Sequence, residues 1–224
     1  MTTGRSVIPW YKTIFRFVFR PIFRLIFNIL SPIQITGKEN IPAKGAYLVV
    51  FNHVSLYDAP LLVAFWPKAL EVLGAQDIWS RPGQNILVRG YGAIPVLRGE
   101  IDQEAVKKIL SALRNGHPLI MAPEGGRSHG DGMRQGKAGI VYFIEASGVP
   151  VVPVGIVGTK DDYYQQGSRG NRPQVEVKIG VAFHLPEMKE AAADSPKELR
   201  QLKVDYIMHR IADLLPEDYR GYYK

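Results

Sequence analysis

Residues 47–58 of this chain read YLVVFNHVSLYD, and this stretch decides the fold. Its first five residues are apolar and rich in β-branched and aromatic side chains, which is typical of a buried strand. The residues that follow, 56–66, predict a helix. Open α/β folds place their functional sites where a strand runs into a helix at the carboxyl end of the sheet. We therefore expect His53 and Asp58 to lie in such a turn.

Two interpretations of His53 and Asp58 are open from the spacing alone. Histidine is the side chain best suited to act as a general base near neutral pH, and a nearby carboxylate can fix its tautomer and stabilise the imidazolium that forms. The alternative is structural, because Ser55 and Asp58 also fit the capping box S-x-x-D at the start of a helix. In that case Asp58 is only a cap and His53 only a turn residue.

Strands and helices alternate along the rest of the chain. This alternation predicts an α/β fold, with a mixed, mostly parallel sheet flanked by helices. The predicted strands are 47–51, 71–73, 93–97, 118–122, 151–157 and 175–183, with turns and an edge strand in 37–45, and the predicted helices are 56–66, 101–115, 138–146 and 197–214. We divide the chain into an N-terminal segment, residues 1–36, and an α/β domain, residues 37–224.

Composition and missing motifs exclude several classes of chemistry. The 224 residues include no cysteine, which rules out disulfides, thiol nucleophiles and cysteine-ligated metals. The sequence has no G-x-x-x-x-G-K-[ST] loop, no G-x-G-x-x-G turn and no G-x-S-x-G elbow, so neither nucleotide chemistry nor a serine acyl-enzyme is indicated. The five histidines are scattered without metal-ligand spacing, and we expect no metal site.

Most of the net charge of +7 lies in residues 1–30, which contain five basic residues and no acidic one. The remainder is nearly balanced, which does not favour nucleic-acid binding. Lysine, arginine or asparagine recurs at every fourth position from residue 12 to residue 28, between apolar and aromatic residues. This pattern predicts a helix at the membrane surface, with its cations on anionic headgroups and with a kink at Pro21 or two short helices in sequence. The alternative is a helix that packs on its own domain or on a partner.

A second strand, residues 118–122, runs into the glycine-rich turn PEGGRS at residues 123–128. Gly125 and Gly126 allow close approach of the backbone to a ligand, and the guanidinium of Arg127 matches the geometry of a phosphate. Two more cations stand at the ends of predicted elements, Arg98 after a strand and Lys137 before a helix. We expect these groups to form a cationic pocket beside His53. The alternative is a surface turn with an ordinary Glu–Arg ion pair, together with solvated cations.

Together these motifs resemble the PlsC-like family of glycerolipid acyltransferases. Residues 52–58 are similar to the family block N-H-x-S-x-x-D, residues 92–98 to G-x-x-x-(I/V)-x-R, and residues 124–128 to E-G-T-R-S. Residues 151–154 resemble the family's fourth block, and residues 136–139 take the place of its F-K-x-G segment. The chain departs from the pattern at Gly126, where threonine is usual, at Gly136, where phenylalanine is common, and in residues 154–159, which lack a second proline.

The resemblance implies transfer of an acyl group from acyl-CoA or acyl carrier protein to the sn-2 hydroxyl of 1-acylglycerol-3-phosphate, which gives phosphatidic acid. His53 would be the base and Asp58 its orienter, and no cofactor would be needed. The implied substrate-binding residues are Arg98, Glu124, Gly125, Gly126, Arg127, Ser128 and Lys137, with Glu124 orienting Arg127. The implied location is peripheral or monotopic on the cytoplasmic face of a membrane. Another lysolipid acceptor, or a non-catalytic lipid-binding protein, is the alternative.

Overall fold

A computed structural model of the chain describes residues 9–97, 99, 102–129, 132–188 and 193–224. Within these residues the chain forms seven strands and eight α-helices. The strands are β1 Ile33–Thr36, β2 Leu48–Phe51, β3 Glu71–Ala75, β4 Ile94–Val96, β5 Leu119–Met121, β6 Val151–Val157 and β7 Val175–Ile179. The helices are α1 Trp10–Leu30, α2 Asp58–Phe65, α3 Gln84–Tyr91, α4 Gln103–Arg114, α5 Gly139–Ser147, α6 Tyr163–Ser168, α7 Pro196–Ala212 and α8 Glu217–Arg220.

The strands form one sheet in the order β1-β7-β6-β2-β5-β3-β4. Every neighbouring pair is parallel except β6 and β7, so the predicted mixed, mostly parallel sheet is confirmed. Val50 of β2 lies opposite Met121 of β5 and Pro153 of β6. Since these three central strands are parallel, the loops that follow them leave the sheet at the same edge.

Two hydrophobic clusters cover the two faces of the sheet. Alternate residues of a strand point to opposite faces, and in β2 the side chains of Val49 and Phe51 pack with α1 and α2, whereas Leu48 and Val50 pack with α4, α5 and α7. All four residues of β2 are buried, as expected for a central parallel strand covered on both faces.

The structure differs from the predicted elements at several places. The edge strand is Ile33–Thr36, which pairs with β7, so the last residues of the predicted N-terminal segment, 1–36, belong to the sheet. The strand predicted over 175–183 ends at Ile179, and Ile101 of the helix predicted over 101–115 lies outside the described residues. The sequence did not predict α3, because Gly90 weakens its helical pattern. That glycine is needed, since a Cβ there would lie 2.4 Å from the ring of Phe15 on α1.

Helix α1 packs on the body with its arginines inward. The Arg16 guanidinium donates to both carboxylate oxygens of Glu71, at 2.6 and 2.8 Å, and to the carbonyl of Tyr91 at 2.9 Å. Arg20 and Arg24 donate to the carbonyls of Trp66 and Ala64, respectively, at the carboxyl end of α2. Cations at this end of a helix stabilise its unpaired carbonyls. The expectation that the arginine stripe meets lipid headgroups is therefore wrong, and the predicted packing on the domain describes this stripe correctly.

The outward face of α1 is apolar except for Thr13 and Asn28. It exposes large side chains along its length, with Phe17 80% and Trp10 74% exposed, and the others are Tyr11, Ile14, Val18, Ile22, Leu25, Ile26 and Ile29. The helix continues through Pro21 as one element, rather than as two short helices. Among the helices that the structure describes, none has the length and apolar character needed to cross a bilayer.

Candidate active site

Three loops meet at the carboxyl edge of the central strands. Residues 52–57 follow β2, residues 122–129 follow β5, and residues 158–161 follow β6. Asn52 joins the first loop to β6, because its side-chain amide donates to the carbonyl of Ile156 at 2.8 Å and accepts from the amide of the same residue at 2.7 Å. These two hydrogen bonds fix the loop that carries the candidate base.

His53 and Asp58 are in direct contact. The distance from His53 Nδ1 to Asp58 Oδ2 is 2.8 Å, and the Asp58 side chain is fully buried, whereas that of His53 is 17% exposed. Asp58 Oδ2 also accepts from the amide of Ser55 at 2.8 Å, and Oδ1 accepts from the hydroxyls of Ser55 and Thr159. Asp58 therefore binds Ser55 in the turn before α2 and also holds the imidazole, so it is not only a cap, and the role of His53 as a base stays a prediction.

This contact determines which nitrogen of His53 is available for chemistry. An ionised Asp58 is only a hydrogen-bond acceptor, so Nδ1 of the neutral imidazole donates the proton in this pair. Nε2 then carries the free lone pair, which is the position from which a neutral imidazole can accept a proton. The phenyl ring of Phe51 packs edge-on against the imidazole, with 5.5 Å between ring centroids, and restricts its rotation.

Glu124 holds the backbone of the site. Its carboxylate is fully buried and accepts from the amide of His53 at 2.8 Å and from the amide of Arg134 at 2.8 Å. Burial raises the pKa of Glu124 above its usual range, and the two amide donors oppose that shift. The carbonyl of His53 accepts from the amide of Ser128 at 2.8 Å. Both main-chain groups of His53 are thus tied to the loop after β5.

Glu124 orients main-chain amides, and Arg127 has a different partner from the one expected. Arg127 Nη1 lies 3.4 Å from Asp161 Oδ1, and His129 Nδ1 lies 3.1 Å from the other oxygen of the same carboxylate. The Arg127 side chain is 25% exposed and that of Asp161 is 49% exposed. One carboxylate on the surface therefore holds the arginine expected to bind phosphate.

Of the three departures from the family pattern, packing explains the glycine at position 136. Gly125 has φ of 68°, and a Cβ there would lie 2.8 Å from Cδ of Lys137, whose side chain crosses the turn. A Cβ on Gly136 would lie 2.4 Å from Val204 of α7, so there is no space for the phenylalanine that is common at this position. Gly126 has more room, because a Cβ there would lie 3.5 Å from Nη2 of Arg134, an ordinary contact distance.

The structure brings most of the predicted site residues to one edge of the sheet. His53 and residues 124–128 lie on the loops that meet there, Asp58 begins α2 directly after the first loop, and Lys137 reaches the Gly125 turn from the segment before α5, whereas Arg98 lies outside the described residues. The Ser128 hydroxyl is buried and has no hydrogen-bond partner in the described part of the chain. The roles of these residues in binding stay predictions.

Sequence reasoning missed Thr159, Asp161 and Arg134. Thr159 and Asp161 follow directly on the predicted strand 151–157, so the rule that sites lie at the carboxyl ends of strands gave a signal for both. Arg134 donates its backbone amide to the Glu124 carboxylate and its guanidinium to the carbonyls of Glu124 and Arg127, contacts that no side-chain motif reveals.

Known proteins that are similar to this chain include acyltransferases. The family model described as Acyltransferase matches residues 32–157. A 1-acyl-sn-glycerol-3-phosphate acyltransferase of Borreliella burgdorferi is 27% identical over 131 residues, which cover 58% of this chain and 52% of that protein. A lyso-ornithine lipid O-acyltransferase of Pseudomonas aeruginosa is 30% identical over 115 residues, which cover 51% of this chain and 44% of that protein.

A solved structure extends the likeness to most of the fold. The crystal structure of the 1-acyl-sn-glycerophosphate acyltransferase PlsC from Thermotoga maritima matches 89% of this chain and 79% of its own, with a TM-score of 0.62 and 26% identity. The chain spans about half the length of the curated relatives that it matches.

Proposed function

This chain belongs to the acyltransferase family, and from that membership we propose that it acylates the sn-2 hydroxyl of 1-acylglycerol-3-phosphate, giving phosphatidic acid. The donor is a thioester, acyl-CoA or acyl carrier protein, and the reaction needs no further cofactor. The observation that carries the proposal is the contact between His53 and the buried Asp58 at 2.8 Å, with the imidazole partly open to solvent. A protein that only binds lipids has no need of a base held in one tautomer by a carboxylate.

The geometry supports direct acyl transfer. His53 Nε2 accepts the proton of the acceptor hydroxyl as the hydroxyl oxygen attacks the carbonyl carbon of the thioester. Asp58 stabilises the imidazolium through Nδ1. When the tetrahedral intermediate collapses, the C–S bond breaks, and the imidazolium returns its proton to the departing sulfur. No acyl group is attached to the protein at any step.

We propose that Arg127 and Lys137 bind the acceptor phosphate. The family resemblance adds Arg98 to this set. Lys137 crosses the Gly125 turn, which also carries Arg127, so the two side chains approach the same loop. The phosphate takes the place of Asp161 on the Arg127 guanidinium, because a doubly charged anion is the stronger partner. Fixing the phosphate places the acceptor hydroxyl near His53 and lowers the entropic part of the barrier.

The outward face of α1 is proposed to dock on the membrane. Its aromatic and aliphatic side chains suit the boundary between headgroups and acyl chains. Arg16, Arg20 and Arg24 form hydrogen bonds within the protein, so only the remaining basic residues can attract anionic lipids. Insertion of the apolar side chains therefore supplies most of the free energy of membrane binding. The cysteine-free chain suits a reducing compartment, and we place the docked protein on the cytoplasmic face.

Vesicle sedimentation tests this docking. Phe17→Glu should release the protein from phosphatidylcholine vesicles, because it puts a charge on the inserted face. Gln103→Glu adds the same charge to an exposed position of α4, on the other side of the sheet, and should bind like the wild type. Equal binding of the two variants would exclude α1 as the docking surface.

The activity itself is tested by mass spectrometry of the products formed from mixed lysolipids and acyl donors. We expect phosphatidic acid as the main product. His53→Ala should lower kcat by about 10²–10⁴-fold, as is typical for removal of a general base. The matched control is His184→Ala, which removes an exposed histidine outside the site and should leave kcat unchanged. Activity of His53→Ala near that of the wild type would end the assignment of the base.

A second acceptor class is favoured by Asp161. A carboxylate beside Arg127 gives the site both signs of charge, which suits a headgroup carrying an ammonium and a carboxylate. The Pseudomonas aeruginosa relative is named for a lyso-ornithine lipid. Including lyso-ornithine lipid in the same acceptor mixture decides between the two classes, since each yields a product of different mass.

A further inference from the structure

Residues 216–223, called here the tyrosine strap, follow α7 and lie outside the residues that the family model matches. The strap contains α8 and three tyrosines. Tyr219 and Tyr223 are 8% and 5% exposed, whereas Tyr222 is 63% exposed. Two of the three rings are thus buried against the body of the protein, although the strap lies at its surface.

The backbone of the strap brackets one residue of the loop 132–137. The amide of Met133 donates to the carbonyl of Tyr219 at 3.0 Å, and the carbonyl of Met133 accepts from the amide of Tyr222 at 2.8 Å. A Cβ on Gly221 would lie 2.3 Å from the Met133 carbonyl oxygen, so the close approach requires glycine there. The residue after Met133 is Arg134, whose amide binds the Glu124 carboxylate.

The Tyr223 hydroxyl holds the same loop at its other end. It accepts from the amide of Gly136 at 2.9 Å and donates to the carboxylate of Asp205 on α7 at 2.8 Å. Asp205 fixes the direction of the hydroxyl, because a carboxylate accepts its proton and leaves the oxygen lone pair for the amide. The next residue is Lys137, which crosses the Gly125 turn.

The Tyr219 hydroxyl reaches a different loop. It accepts from the amide of Gly158 at 3.1 Å, directly before Thr159. The Thr159 hydroxyl donates to Asp58, which holds the imidazole of His53. The two hydroxyls of the strap therefore bind Gly158 and Gly136, which directly precede Thr159 and Lys137 in the chain.

We propose that Tyr219 and Tyr223 are positioning residues, Tyr219 for the base pair and Tyr223 for the phosphate-binding loop. The proposal rests on the proposed function and assigns to the strap two separate effects on the same reaction. Tyr219 acts through Thr159 and Asp58 on the chemical step. Tyr223 acts through Lys137 on binding of the acceptor.

Steady-state kinetics with 1-acylglycerol-3-phosphate separates the two effects. Tyr223→Phe should raise the KM for the acceptor by about three- to tenfold, as expected for one lost hydrogen bond, and leave kcat within twofold. Tyr219→Phe should lower kcat by a similar factor of about three to ten and leave KM within twofold. Tyr222→Phe changes an exposed tyrosine of the same strap and should leave both parameters unchanged.

The two variants retain their rings, so a purely structural role would lower thermal stability without separating kcat from KM. Wild-type kinetics in Tyr219→Phe or in Tyr223→Phe would overturn the proposal. Equal changes of kcat and KM in both variants would also overturn it.

Amide hydrogen exchange makes the result independent of activity. Gly136 should exchange faster in Tyr223→Phe, and Gly158 should exchange faster in Tyr219→Phe, with neither amide affected in Tyr222→Phe. If the wild-type protein acylates no acceptor, the proposed function fails, and the exchange data alone decide whether the strap holds the two loops. Unchanged exchange at both amides rejects the strap.

Discussion

Replacing Arg16 by alanine tests whether the arginine stripe of α1 faces the protein or the lipid. The Arg16 and Glu71 side chains are 7% and 10% exposed, and the guanidinium donates to both carboxylate oxygens. It also lies over the ring of Tyr91, 4.7 Å from the centroid. In Arg16→Ala the Glu71 carboxylate remains buried without its cation.

The expected cost follows from this burial. Removing one partner of a buried ion pair destabilises a protein by about 3–5 kcal/mol, because the remaining charge loses its compensation. In a protein of this length each kcal/mol lowers Tm by about 2–4 °C, so the whole effect is a fall of roughly 6–20 °C. Arg16→Met combined with Glu71→Leu should recover most of this loss, since it leaves no unpaired charge.

Thermal unfolding followed by circular dichroism, without membranes, measures the effect. The control is Arg200→Ala, an exposed arginine of α7 whose loss should shift Tm very little. If the stripe faced lipid headgroups, Arg16→Ala would unfold like this control and would lose vesicle binding instead. A Tm of Arg16→Ala that equals that of Arg200→Ala would therefore refute the inward orientation.

Three further changes probe the site. Asp161→Asn removes the carboxylate that pairs with Arg127, so the KM for a phosphate-bearing acceptor should fall. The expected decrease is about two- to fivefold, which is the range for a surface ion pair. An increase in KM would show that Asp161 assists binding. Thr159→Val removes a hydroxyl donor from buried Asp58, which should lower the unfolding free energy by about 1–3 kcal/mol and lower kcat. An unchanged unfolding free energy together with an unchanged kcat would contradict the role of Thr159 in holding Asp58. Glu124→Gln places an NH₂ donor opposite one of the two main-chain amides that the carboxylate accepts from. Denaturant unfolding should therefore show a decrease of about 1–3 kcal/mol in unfolding free energy. An unchanged unfolding free energy would show that the carboxylate charge is dispensable.

Local sequence was sufficient for the parts of the site that lie within one loop. His53 and Asp58 are five residues apart, and the apolar strand before them and the helix after them fix their surroundings. The same holds for the turn from Glu124 to Ser128, where glycines follow a strand. Alternation of strands and helices was likewise enough for the parallel sheet, since it reflects burial on both faces.

What the sequence did not predict depends on contacts between distant residues. The spacing of four places the arginines of α1 on one stripe, but the partner of Arg16 is 55 residues away. Periodicity shows that a helix has two faces and does not show which one is covered. Asp161 likewise meets Arg127 across two loops, and neither residue has a neighbour in sequence that signals the pairing.

Helix α2 links α1 to the imidazole of His53. Its first residue, Asp58, contacts the imidazole, and the carbonyls of Ala64 and Trp66 at its other end bind the arginines of α1. With eight residues, α2 is about 12 Å long and acts as a rigid spacer. The offset between α1 and the imidazole is therefore a fixed dimension of the protein. If α1 docks on the membrane and His53 is the base, as proposed, a lipid acceptor must present its hydroxyl at a depth that matches this offset, and the fold then selects substrates by where the hydroxyl lies along the bilayer normal as well as by charge.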